Sequence, residues 1–175
     1  MQGRCSLVLR RRLCTGGAAE AGRLVYTTDW LRTVTLNCDK LNVRLQPHIV
    51  NEVQIGLETA DGHPLPPASV AIKGPDGPTD DMDVITLTVA SADCPPDADT
   101  IALYVPQRFH VDVTTDGGSI TQYDLLEGNT SLTAINGNVK AKKVRGAPSV
   151  SLRAEGGAVV ANIIEGEATL VATRG

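Results

Sequence analysis

Beyond residue 24 the chain alternates apolar and polar positions with period two. The runs are Val34, Leu36 and Cys38; Leu41, Val43 and Leu45; Val53, Ile55 and Leu57; Val70 and Ile72; Ile85, Leu87 and Val89; and Ile101, Leu103 and Val105. Successive strand residues point to opposite faces, so this period predicts half-buried β-strands. Turn clusters separate the runs: Asp61-Gly62-His63-Pro64, Gly74-Pro75-Asp76-Gly77-Pro78 and Cys94-Pro95-Pro96-Asp97. Proline removes a backbone donor and glycine permits positive φ, so these segments punctuate the strands. No stretch after residue 24 shows a 3.6-residue apolar stripe of helical length. The pattern predicts an all-β fold.

From Val111 the alternation acquires a longer period. Gly118, Gly137, Gly157 and Gly175 follow one another at spacings of 19, 20 and 18, and Gly128, Gly146 and Gly166 fall nine or ten residues later. Three columns precede the first glycine set: Val111, Thr130, Val150 and Ala168; Val113, Leu132, Leu152 and Leu170; and Thr115, Ala134, Ala154 and Ala172. The intervening columns, Asp112, Ser131, Ser151, Thr169 and Thr114, Thr133, Arg153, Val171, are mostly polar and read as outward. Ile120, Val139 and Val159 follow the corner glycines by two, and Leu125, Val144 and Ile164 by seven. Column-wise agreement has a physical cause if coils stack in register, each inward side chain resting on its equivalent about 4.8 Å away. The expected architecture is therefore a β-solenoid, a parallel β-helix-like stack with coils of about 19 residues. The alternative is an antiparallel β-meander, for which Asn136-Gly137 is a type I′ hairpin signal.

Composition narrows the class without changing the fold. With 175 residues and 42% hydrophobic content, the chain can bury one core. Aromatics at 3% suit a thin core of stacked small aliphatics. No apolar run approaches the ~18–20 residues of a membrane-spanning helix. A net charge of −4 argues against sequence-independent nucleic-acid binding, which needs a basic face.

Residues 1–23 stand apart. Arg4, Arg10, Arg11 and Arg12 precede the first acid, Glu20, and Leu7, Val8, Leu9 and Leu13 share one side if the segment is a short helix. That is the Arg-rich, acid-poor composition of a cleavable mitochondrial presequence, with a basic tail as the alternative. A secretory h-region needs about 7–15 apolar residues, whereas Ser6-Leu7-Val8-Leu9 is cut by three arginines. Loss of residues 1–22 removes four arginines and Glu20, taking the charge from −4 to −7. Residues 24–175 then form the β-rich domain, in a mitochondrial or alternatively cytoplasmic setting.

Candidate chemistry is sparse. Parallel β-helices can carry two carboxylates about 5–9.5 Å apart for glycoside cleavage. Asp112, Asp116, Asp124 and Glu127 are the candidates, but Ser131, Ser151, Ile135 and Glu155 occupy the neighbouring columns with no aromatic platform. Asp76, Asp80, Asp81 and Asp83 raise a calcium question, yet the loop lacks an EF-hand register and a GGxGxD repeat, and reads as a charged loop. His48, His63 and His110 are scattered, and Cys5, Cys14, Cys38 and Cys94 form no CxxC, so no metal site is expected. Cys38 reads as a small buried hydrophobe. There is no GxSxG, P-loop, HExxH or strand-linked GxGxxG, so neither catalysis nor a cofactor is expected, and Gly117-Gly118-Ser119 reads as a turn. Asn129-Thr130-Ser131 is a glycosylation sequon set partly in a strand. The cluster Lys140, Lys142, Lys143 and Arg145 is the candidate partner surface, suited to an acidic protein or phospholipid headgroups. Its alternative role is a solvated face that discourages edge pairing.

Tyr104-Val105-Pro106, the run Phe109-His110-Val111-Asp112-Val113-Thr114-Thr115-Asp116-Gly117-Gly118-Ser119-Ile120, and Thr133-Ala134-Ile135-Asn136-Gly137-Asn138-Val139 resemble the putative adhesin repeat family, a domain of unknown function. Within that family they resemble an uncharacterised vertebrate member. The resemblance covers residues 101–175, implies a β-solenoid-like stack and brings no catalytic residues. Ending on a corner glycine without the second strand of that coil, the sequence reads as C-terminally incomplete, a truncated form with an open strand edge. The functional expectation is a noncatalytic interaction or scaffold module that binds a protein partner, its oligomeric state open. The alternatives are a secreted or surface adhesin for carbohydrate or matrix and, further off, a carbohydrate-active β-helix enzyme.

Overall fold

The computed structural model describes residues 10–13, 23–27, 33–65, 72–73, 84–145 and 149–173. The strands are β1 (Arg10–Leu13), β2 (Arg23–Thr27), β3 (Thr33–Asp39), β4 (Asn42–His48), β5 (Glu52–Glu58), β6 (Ile72–Lys73), β7 (Val84–Val89) and β8 (Thr100–Pro106). They continue with β9 (His110–Asp116), β10 (Ile120–Glu127), β11 (Thr130–Ile135), β12 (Val139–Arg145), β13 (Val150–Glu155), β14 (Val159–Glu165) and β15 (Ala168–Thr173). Apart from a short 3-10 turn at Ser91–Asp93, no helix occurs among the described residues. Sheet A runs β1-β2-β5-β8-β4-β10-β12-β14 and sheet B runs β15-β13-β11-β9-β3-β7-β6. Pairing is parallel except at β1, β2, β5 and β6.

The expected columns are real and longer than the repeat suggested. In sheet B, Leu87, Leu36, Val113, Leu132, Leu152 and Leu170 stack strand upon strand, beside Ile85, Val34, Val111, Thr130, Val150 and Ala168. A third column runs Val89, Cys38, Thr115, Ala134, Ala154 and Ala172. Sheet A faces these with Ile101, Val43, Ile120, Val139 and Val159. Through β13 the inward members of sheet B are buried, and the two inner faces make one core. The buried Thr115 hydroxyl donates to the Leu41 carbonyl at 2.9 Å and accepts the Gly118 N–H at 3.2 Å, so it costs no unpaired polar group.

The corner glycines answer a steric demand. Lys40, Gly117, Asn136 and Gly156 stack with φ of 48°, 145°, 62° and 75°. The next column, Leu41, Gly118, Gly137 and Gly157, brings each glycine against the carbonyl of the coil beneath, where a Cβ would overlap the oxygen. Asn136-Gly137 is thus a corner between parallel coils, and the meander alternative does not hold for this region. Side chains bind the corners together. Asn42 Oδ1 accepts the Ser119 N–H at 2.9 Å, Ser119 Oγ the Asn138 N–H at 3.1 Å, and Asn138 Oδ1 the Ala158 N–H at 2.8 Å.

Two local expectations are corrected. Leu125 does not share a column with Val144: Leu126 does, because β10 carries a bulge between Gln122 and Leu125 with Asp124 at φ 58°. Buried Gln122 replaces the interrupted ladder. Its Nε2 donates to the Tyr123, Asp124 and Lys143 carbonyls at 2.8, 2.7 and 3.3 Å, and its Oε1 accepts the Lys142 N–H at 3.0 Å. Residues 10–13 form a strand antiparallel to β2, not part of a helix, because β2 offers them a ladder that a short helix would lack. Nor does the chain wind continuously. The coil β3–β4 lies between β7–β8 on one side and β9–β10 on the other. Residues 107–109 cross the end of β4, where the Gln107 N–H donates to the His48 carbonyl at 2.9 Å. The chain leaving β4 is displaced into the exposed Ile49-Val50 turn. Val70 and Asp76, Asp80, Asp81 and Asp83 lie outside the described residues.

Candidate functional site

The outer face of sheet A around β12 carries the basic cluster. Alternation turns Val139 and Ala141 inward and leaves Lys140 and Lys142 exposed; beside the β10 bulge the parity then shifts, so that Lys143 is half-buried, Val144 buried and Arg145 exposed. Carboxylates of the neighbouring coils meet most of these cations. Lys142 Nζ lies 3.1 Å from Asp124, Arg145 lies 3.1 Å from Glu127 and 2.6 Å from Glu165, and Lys143 lies 3.8 Å from Glu165. Arg108, itself exposed, adds a contact of 3.4 Å to Glu127. The Glu165 hydrogen bond raises the Arg145 guanidinium above its ordinary value, and the same bond holds Glu165 below the usual carboxylate range. Lys142, Lys143, Arg145 and Arg108 thus meet Asp124, Glu127 and Glu165, and Lys140 adds a fifth cation on the same strand as Lys142, an excess of positive charge on an otherwise acidic chain.

The four candidate carboxylates do not converge. Asp112 and Asp116 stand on β9 in sheet B, whereas Asp124 and Glu127 stand on β10 in sheet A, engaged by Lys142, Arg145 and Arg108. Outside sheet B, Thr33, His110, Asp112, Asn129, Ser131 and Ser151 line a shallow groove of about 280 Å³. His110 Nδ1 accepts the Asn129 N–H at 2.9 Å, and Asn129 Oδ1 is buried without a partner among the described residues. The sequon asparagine is therefore half-buried in this groove.

A second polar cluster escaped the sequence reading. Arg23, Arg44, Tyr104 and Glu58 meet on the outer face of sheet A although they lie on β2, β4, β8 and β5. The Arg23 guanidinium sits 4.0 Å over the Tyr104 ring and donates to its hydroxyl at 2.8 Å. Arg44 donates to the same hydroxyl at 3.2 Å and pairs with the buried Glu58. His48 stands edge-on to Tyr104, with ring centroids 6.4 Å apart, and burial pushes its imidazole below the ordinary value. Each of these residues reads singly as one polar position in an alternating strand, and only the strand order brings them together. Burial pushes the Cys38 thiol up to about 11 and raises Cys94 as well, so neither is an activated nucleophile. No group of His, Cys, Asp and Glu suited to a metal ion occurs among the described residues, and no described helix is long and apolar enough to cross a membrane.

No protein-family model and no curated protein matches the chain. Among solved structures, one described as a "putative cell adhesion protein" from Clostridium sporogenes is similar over 86% of this chain and 98% of its own, at 6% identity and a TM-score of 0.34.

Proposed function

We propose that this chain is a noncatalytic β-solenoid interaction module that presents the β12 face of sheet A to an acidic protein partner. The observation that carries the reading is the cation excess on that face: Lys140 extends beyond the ion-pair ladder, and Lys142, Lys143 and Arg145 share their carboxylates across coils. Exposed ion pairs contribute little stability, so exchanging intramolecular carboxylates for a partner's is cheap. The sheet also holds the four cations of β12 in fixed register along one strand. Targeting to mitochondria through residues 1–23 belongs to the same proposal and rests on four arginines ahead of the first acid.

The test is titration with poly-glutamate as a defined acidic probe, with the Lys140→Glu/Lys142→Glu/Lys143→Glu variant as control. Salt-dependent binding that the triple variant loses while keeping its circular-dichroism spectrum supports the reading. Equal binding by both proteins overturns it. The adhesin reading draws on the family resemblance and on the hydroxyl-rich groove of about 280 Å³ on sheet B. N-terminal sequencing and mass measurement of protein recovered from fractionated cells separate the two. A mature start near residues 15–30 in mitochondria supports the first, and secretion with a glycan on Asn129 the second.

A further inference from the structure

A pocket of about 290 Å³ lies where the chain leaving β8 crosses the end of β4, with His48, Ile49, Pro106, Arg108 and Phe109 in its walls. These walls are pinned. The Gln107 N–H donates to the His48 carbonyl at 2.9 Å, the Phe109 N–H to the Pro106 carbonyl at 3.2 Å and the Glu127 N–H to the Gln107 carbonyl at 2.6 Å. The turn is thereby held to β4, to itself and to β10. We propose that this pocket binds a small carboxylate with an apolar body, its oxygens taken by His48 and Arg108 and its body by Ile49, Pro106 and Phe109.

The polar half of the site starts from the His48 ring. Its Nδ1 accepts the Val50 N–H at 3.1 Å, which in the neutral imidazole leaves the proton on Nε2. That Nε2–H is buried and has no partner among the described residues. A buried donor without an acceptor costs free energy that a bound oxygen restores. The Arg108 side chain at the same pocket is 88% exposed, and Glu127 approaches its Nε at 3.4 Å, which leaves much of the fork to solvent. Both groups offer donors at the pocket, one of them charged, so the ligand group that suits the pair is an oxyanion. None of the described lining residues is acidic. The neighbouring acids are engaged elsewhere, Glu127 by Arg145 as well and Glu52 by the Gln54 amide at 3.4 Å.

The apolar half decides between a bare anion and a larger acid. Ile49 is 94% exposed, the most exposed large hydrophobic residue described, and it shares the pocket with Pro106 and Phe109. Inorganic phosphate uses none of this surface, whereas a hydrocarbon chain or ring covers it. The volume falls just under the roughly 300 Å³ at which small-molecule sites begin, so the occupant is one side chain or ring with its carboxylate, not a polymer. Two sources supply that chemistry: a free aryl or aliphatic acid, and the C-terminal carboxylate of a peptide ending in an apolar residue. The site needs none of the β12 lysines, so it stands whether or not that face binds an acidic protein.

Titration of the isotope-labelled full chain with hydrocinnamate, and with an N-acetylated pentapeptide ending in leucine, tests this through amide and imidazole chemical shifts. The expected result is saturable shifts at residues 48–51 and 106–109 and at His48 Nε2, with the tighter probe identifying the source. Hydrocinnamamide and the peptide amide, which lack the charge, are expected to bind at least about tenfold more weakly, as are the acids to Arg108→Gln. Should that variant misfold, the comparison of acid with amide on the unaltered chain carries the test alone. Inorganic phosphate is expected to bind more weakly than the tighter acid. No saturable shift with either acid, shifts confined to β12, equal binding of acids and amides, undiminished binding by a folded Arg108→Gln, or tighter binding of phosphate overturns the proposal.

Discussion

Residues 110–173 and residues 23–106 use the same inward columns but arrive at them differently. In the later region chain order equals stacking order: β9, β11, β13 and β15 are successive in sequence and adjacent in sheet B. In the earlier region β3 is flanked by β7 and β9, while β5 and β2 add antiparallel strands to sheet A. Nearest-neighbour stacking makes a repeat visible only where neighbours in space are also neighbours in sequence. Thus Leu36 and Leu87 belong to one column with Leu132 and Leu152, yet no spacing of residues announces it.

The regular region should break most sharply at its corners. Gly137→Ala drives a Cβ into the Gly118 carbonyl and is expected to cost roughly 3 kcal/mol or more in denaturant unfolding. Gly62→Ala, at φ 79° with open space around it, should cost about 1 kcal/mol. Equal effects would remove the steric account of the corners.

A second contrast lies between an interior coil and the last rung. Leu152→Ala should cost about 3 kcal/mol, whereas Leu170→Ala should stay under about 1 kcal/mol. Next comes the bulge. Gln122→Leu leaves the carbonyls of Tyr123, Asp124 and Lys143 and the Lys142 N–H without their side-chain partner, for about 2 kcal/mol in the same assay.

The earlier region should respond to acid through His48. Its folded imidazole lies below the ordinary 6.5, so the unfolded chain binds the proton first. Stability is full above about 6.5 and falls as the pH drops toward the lower folded value; His48→Gln should flatten that slope in thermal melts. The smallest effect belongs to the exposed ladder. Arg145 holds Glu165 low, so its contribution is present above the ordinary carboxylate value and disappears as pH falls through the folded one. Glu165→Gln should remove that small acid-range slope, and added salt should mask it.

The all-β class, the burial of Leu132, Leu152 and their column mates, and the outward placing of Lys140 and Lys142 were legible in the sequence because side-chain period two and coil period 19–20 act locally. The bulge that substitutes Leu126 for Leu125 was not, since one extra residue shifts parity without changing composition. The insertion of β7–β8 beside β3–β4 and the meeting of Arg23, Arg44, Tyr104 and Glu58 depend on long-range strand order. So do the carboxylates that face the basic cluster: the columns place Glu127 and Glu165 level with Arg145, but only once the register is known.

The central claim is that successive coils pair in parallel register rather than as hairpins. Interstrand nuclear Overhauser contacts at Leu132 test it most directly. The account predicts contacts to the backbone of Val113 and Leu152, its neighbours in the stack. Contacts to the backbone of Ala141, its partner in a hairpin folded at Asn136-Gly137, would contradict it.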